Sequence, residues 1–264
     1  MRMVIKVGTS TLAYPNGCLN IRRVETLCKV LSDLKNSGHE ILLVSSGASG
    51  MGVGKLSLKA RPADIPGKQA AAAVGQCELM YTYDRLFSQY NHTVAQILIT
   101  GSDMRDPDRS ANFRNTLLRL LELDVMPIIN ENDTIATEEI MVGDNDTLSA
   151  LVAVDADAQL LVLLSDIDGL YTDDPHQNPY AQRIPIVTAL TDEILSYAGG
   201  KGSELGTGGM RTKLRAAQIS TEAGCDMAIL NGNNPELLYD LIDGKTVGTK
   251  FLRKDKEKEG ALHA

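Results

Sequence analysis

The segment Gly206-Thr207-Gly208-Gly209-Met210-Arg211-Thr212-Lys213 precedes and opens a long amphipathic stretch. Helix N-termini carry free N–H groups and a partial positive charge. Glycines just ahead of such a terminus let phosphate oxygens reach the backbone. Helical side chains lean toward the N-terminus, so Lys213 can reach the same anion. The chemistry suggested by Thr207–Lys213 is phosphate binding, with Thr207, Gly208, Gly209, Met210, Arg211, Thr212 and Lys213 as its residues.

Five more segments carry polar groups at or just beyond the ends of short apolar runs. Lys6 stands inside the run Met3–Gly8, followed by Thr9 and Ser10. A lysine in an apolar strand is costly unless paired. Either this strand lies at a sheet edge with Lys6 in water, or Lys6 faces phosphate. The run Glu40–Ser45 leads into Ser46-Gly47-Ala48-Ser49-Gly50-Met51-Gly52-Val53-Gly54. This many glycines suggests a loop that binds an anion through its backbone. It is no P-loop, because Ser49 replaces the first glycine and Leu56 follows Gly54-Lys55. Asn130-Glu131-Asn132-Asp133 and Gly143-Asp144-Asn145-Asp146 gather amides and carboxylates at a strand end and a helix start. One of Asn145 and Asp146 could be a helix cap. The set as a whole suits a substrate with carboxylate and ammonium groups, a magnesium ion, or a lysine. Ser165-Asp166-Ile167-Asp168-Gly169 follows a fifth apolar run and could hold adenine and ribose.

These segments need a frame that brings them together. Apolar runs at Met3–Gly8, Glu40–Ser45, Thr93–Ile99, Val125–Asn130, Gln159–Ser165 and Asp226–Leu230 read as strands. Between them lie stretches of helical periodicity at 21–34, 68–89, 109–123, 147–154 and 210–223. A short helix at 235–242 and a last strand at 248–252 complete the reading. Alternating strands and helices indicate an α/β fold with a mainly parallel sheet. Ligands of such sheets collect beyond the carboxyl ends of the strands, where these segments lie.

The net charge of −8 argues against a nucleic-acid partner, which needs a basic footprint. The cysteines at 18, 28, 77 and 225 and the histidines at 39, 92, 176 and 263 show no metal spacing. No apolar run is long enough for a membrane span or signal peptide, and the chain reads as cytoplasmic.

The six segments, in this order, resemble the glutamate kinases, a branch of the amino acid kinase family. The likeness runs from about residue 3 to about residue 252. It implies a three-layer α/β/α sandwich around a central mainly parallel sheet, forming one domain over 1–252 with a charged tail at 253–264. The N-terminal half would bind glutamate and the C-terminal half the nucleotide. It implies ATP- and magnesium-dependent phosphorylation of the γ-carboxylate of L-glutamate, the first step toward proline. Ser46, Asn130, Asp133 and Asn145 would bind glutamate. Lys6, Ser165, Asp166 and Thr207–Lys213 would bind ATP. Lys6 and Lys213 would flank the transferred phosphoryl, Asp146 would orient them, and Asp144 would assist magnesium or glutamate. The resemblance also implies a homo-oligomer and proline as feedback inhibitor. Hand-over of the labile product to a reductase would follow from its chemistry. Many members carry an extra C-terminal domain; here the short form is expected. Kinases of the same fold acting on acetylglutamate, aspartate or a nucleoside monophosphate, and a non-catalytic amino-acid sensor, are the competing readings.

Overall fold

A computed structural model describes residues 1–14, 18–136, 145–175, 177–199 and 209–254. In chain order, β1 (Arg2–Val7), α1 (Thr9–Leu12), α2 (Ile21–Asn36), β2 (Glu40–Ser45), α3 (Ala48–Lys55) and α4 (Ile65–Ser88) come first. β3 (Val94–Ile99), α5 (Gly101–Arg105), α6 (Pro107–Glu122), β4 (Met126–Glu131), α7 (Asn145–Asp155) and β5 (Leu160–Ser165) follow. The remainder comprises β6 (Leu170–Tyr171), β7 (Arg183–Ile184), β8 (Ile186–Val187), α8 (Asp192–Ser196), α9 (Met210–Glu222), β9 (Asp226–Asn231), α10 (Leu237–Ile242) and β10 (Thr249–Phe251).

Eight strands form one sheet in the order β3-β4-β2-β1-β5-β9-β10-β8, and β6 pairs with β7 apart from it. β3, β4, β2, β1, β5 and β9 run parallel; β10 is antiparallel to β9. β1, β2, β4 and β5 are almost wholly buried apolar runs, as strands covered on both faces must be. One face packs on Leu27 and Leu31 of α2, Tyr83 and Phe87 of α4, and Leu238 of α10. The other packs on Phe113 and Leu117 of α6, Leu148 and Val152 of α7, and Leu214 and Ala217 of α9. Each such side chain contributes on the order of 1.5–3 kcal/mol. The two apolar layers therefore hold the sheet, and the polar groups at its edge are free to serve chemistry.

β1 is central, between β2 and β5, so the edge-strand reading of Lys6 is overturned. Side chains alternate along a strand. Met3, Ile5 and Val7 face the α2 side and Val4 faces the α7 side, which sends Lys6 to the α7 side as well.

The glycine-rich segment after β2 is also corrected. It is a turn at Gly47 followed by the helix α3. Gly47 has φ 102°, a left-handed conformation that favours glycine. Gly52 and Gly75 let α3 and α4 touch through their backbones. A Cβ on Gly52 would lie 1.7 Å from the Ala71 carbonyl oxygen, and one on Gly75 1.7 Å from that of Ala48. These two glycines thus serve helix packing, and the backbone left for the expected anion site is the first turn of α3.

Candidate active site

Three side chains from separate elements meet at the carboxyl end of the central strand. Lys6 reaches from β1, Asp146 from the first turn of α7, and Lys213 from the first turn of α9. The Lys6 ammonium lies 2.6 Å from Asp146 Oδ1, and the Lys213 ammonium 3.0 Å from Asp146 Oδ2. Thr212 Oγ1 donates to Asp146 Oδ2 at 3.0 Å. Asp146 is fully buried, and both lysines are only 6% exposed. Burying charges is costly unless they pair. Two ammonium groups converge on one carboxylate here, an arrangement that can receive a phosphoryl group between them. The Asp146 side chain is thus occupied by lysines rather than spent as a helix cap.

Next to this cluster is a cleft of about 170 Å³, lined by Thr9, Ser46, Gly50, Arg61, Asn130, Glu131, Asp133 and Asn145, among others. An amide network shapes it. Asn145 Nδ2 donates to Ser46 Oγ at 2.8 Å and to Asn130 Oδ1 at 3.0 Å. Asn130 Nδ2 donates to Gln76 Oε1 at 2.9 Å, and Glu131 N–H donates to Asn130 Oδ1 at 2.9 Å. Gln76 is buried on α4, so it fixes the Asn130 amide from behind. Asp133 is half-buried, and burial raises its carboxyl above the usual carboxylate range. A ligand ammonium beside it would restore the ionised form.

Four expected residues, Ser46, Asn130, Asp133 and Asn145, therefore share one cleft. Gln76 and Arg61 join the site without having been singled out from sequence, while Thr9 and Glu131 lay within the quoted segments but were given no role of their own. Gln76 carried one signal, an amide on the small-residue face of an apolar helix. Arg61 sits in the connection between α3 and α4 and carried none.

On the other side of β1 lies the expected nucleotide side. Ser165 ends β5 and donates from Oγ to Asp166 Oδ1 at 3.0 Å. Gly209 precedes α9 and supplies no side-chain cap, so no cap side chain takes the first N–H groups of the helix. The expected roles of Asp144, Thr207 and Gly208 fall on residues outside those described. Among the described residues no group of three or more His, Cys, Asp or Glu is placed to hold a metal ion. The carboxylate nearest the lysines, Asp146, is committed to both of them.

The sequence profile of the amino acid kinase family matches residues 1–231. The glutamate 5-kinase of Clostridium tetani is 54% identical over 249 residues, covering 94% of this chain and 93% of that protein. That of Clostridium acetobutylicum is 51% identical over 255 residues, covering 97% and 96%. Among solved structures, a carbamate kinase from Giardia lamblia bound to AMP-PNP superposes with a TM-score of 0.68 at 16% identity, covering 96% of this chain and 98% of that one. That likeness concerns the fold, which it shares.

Proposed function

Since the chain belongs to the amino acid kinase family, we propose that it transfers the γ-phosphoryl group of ATP to the γ-carboxylate of L-glutamate, giving L-glutamyl 5-phosphate for proline synthesis. The observation that carries this reading is the adjacency of Asn145 and Asp146. The first lines the amide-rich cleft and the second holds both buried lysines. One turn of helix thus joins an amino-acid site to a phosphoryl site.

The N-terminal half supplies the acceptor site. Asp133 suits the substrate ammonium, while Ser46, Asn130 and Asn145 offer amide and hydroxyl partners to its oxygens. The reacting carboxylate is already ionised near neutral pH, so no general base is needed. The obstacle is repulsion between an anion and a polyanion, which positioning and fixed charge overcome. Lys6 and Lys213 take the transferred phosphoryl between them, and Asp146 sets their spacing. Ser165, Asp166 and the Gly209–Lys213 turn hold the nucleotide. The described carboxylates do not form a magnesium cage. Magnesium carried with the nucleotide would supply screening of the phosphate charge. Asp144 remains a candidate for assisting magnesium or glutamate. Proline inhibition and a homo-oligomer, implied by the family resemblance, and product hand-over to a reductase, which follows from the lability of the acyl phosphate, belong to the same proposal.

The test is ADP release with glutamate, acetylglutamate, aspartate and UMP as acceptors, with hydroxylamine to trap an acyl phosphate. Glutamate alone should support turnover and yield a hydroxamate, and added proline should slow it. Turnover with another acceptor and none with glutamate would replace this reading by a different kinase.

A further inference from the structure

We infer that Arg61 binds the α-carboxylate of the acceptor and thereby sets the enzyme's preference for an α-amino acid. This rests on the glutamate reading above. Arg61 lines the acceptor cleft together with Gly50, Asp133 and Asn145. Its Nη2 lies 3.8 Å from the point a Cβ on Gly50 would occupy, so the guanidinium sits over the first turn of α3. It is the one cationic side chain among the described residues lining the cleft, and no described residue gives it a hydrogen bond or ion pair.

The substrate's own charges decide what Arg61 faces. Glutamate brings two carboxylates and one ammonium. The ammonium suits Asp133, whose raised carboxyl has no cation beside it among the described residues. The reacting carboxylate must turn toward Lys6 and Lys213, which do not line the cleft. The α-carboxylate therefore stays inside the cleft, where it needs a compensating charge. A guanidinium fork matches a carboxylate with two parallel hydrogen bonds and a full compensating charge. The uncapped N-terminus of α3 adds backbone donors beneath it.

Two fragments of glutamate separate the possibilities as competitive inhibitors. Glutarate keeps both carboxylates and lacks the ammonium. 4-Aminobutyrate keeps the ammonium and the reacting carboxylate and lacks the α-carboxylate. Arg61→Ala should raise the glutamate KM and the glutarate Ki by roughly 10-fold or more, as loss of a charged hydrogen-bond pair does. The 4-aminobutyrate Ki should stay within about 2-fold, and kcat should fall much less than KM rises. Arg61→Lys, which keeps charge but not the fork, should recover part of the loss. Arg61 is exposed in a connecting segment, so both variants should fold. Equal weakening of all three ligands, or a fall in kcat with KM unchanged, would overturn the assignment; the latter would place Arg61 on the phosphoryl group. Wild-type protein without glutamate-dependent turnover would instead remove the underlying glutamate reading.

Discussion

At the scale of single residues, the site separates charge that is paired from charge that awaits a ligand. Asp146 is saturated by two lysines; Asp133 has a carboxyl raised by burial alone. A carboxyl raised in the folded state binds protons that the unfolded chain has released. Ligand-free stability therefore falls as pH rises from the unfolded pKa through the folded one. In its proposed role, glutamate binding should run the other way, because the ammonium needs the ionised form. Asp133→Asn should accordingly melt higher than wild type when both are ligand-free at pH 8. That advantage should shrink toward pH 4, while the glutamate KM rises at least about 10-fold. Melting curves at the two pH values and a glutamate titration check both halves; a pH-independent difference would remove Asp133 from this role. Residue-scale legibility was uneven. The Asn130–Asp133 and Asn145–Asp146 runs stood out because polar groups ended apolar strands. Gln76 and Arg61 did not, because their relevance comes from packing across more than fifty residues of chain, or from a connection with no periodicity.

At the scale of elements, the informative case is α3. Read alone, Ala48–Lys55 with three glycines is poor helix, since each glycine costs about 1 kcal/mol against alanine. It forms because α4 accepts it at backbone distance, with Gly52 against Ala71 and Gly75 against Ala48. Propensity lost to tertiary contact, and that is why sequence patterns indicated a loop. The strands β1, β2, β4 and β5 were legible because burial on both faces leaves unbroken apolar runs. The two-residue strands β6, β7 and β8 were not, because two residues carry no period. Gly52→Ala tests the packing. Its Cβ would meet a backbone carbonyl that no side-chain rotation can clear. Overpacking of this kind costs about 1–3 kcal/mol, set against at most about 1 kcal/mol of helix propensity. The expected outcome is a lower Tm, by roughly 2–4 °C for each net kcal/mol in a domain this size. The glutamate KM should also worsen, because α3 carries one wall of the cleft. A stabilised variant with unchanged KM would show that the two helices can part at no cost.

At the scale of the whole molecule, the proposed acceptor and donor sides lie on opposite flanks of β1 and meet at the lysines. Binding and chemistry should then be separable. A ligand at 100 times its Kd stabilises a native state by about 2.7 kcal/mol. Glutamate and ATP should each raise Tm in wild type. Lys213→Ala should keep the glutamate-induced rise while kcat drops about 10²–10³-fold, the usual loss for one donor aimed at developing charge. Loss of the glutamate-induced shift in that variant would mean that Lys213 shapes the acceptor site instead. The overall α/β order was legible from alternating periodicity. The convergence of residues 6, 146 and 213 is a property of the folded sheet, which local pattern does not carry.

The strand order β4-β2-β1-β5 also makes the sheet a ruler. Asp133 follows β4, Ser46 follows β2, Lys6 belongs to β1 and Ser165 ends β5. The line from ammonium to nucleotide thus crosses the strands at right angles, and its graduations are interstrand spacings of about 4.8 Å. Backbone hydrogen bonds fix that spacing and no side-chain rotamer can stretch it. An acceptor shorter by one methylene, held at Asp133, stops short of the lysines by roughly a quarter of a graduation. On the proposed assignments, chain length in the substrate is measured against the pitch of the sheet, and altering it would call for moving a loop rather than exchanging a contact.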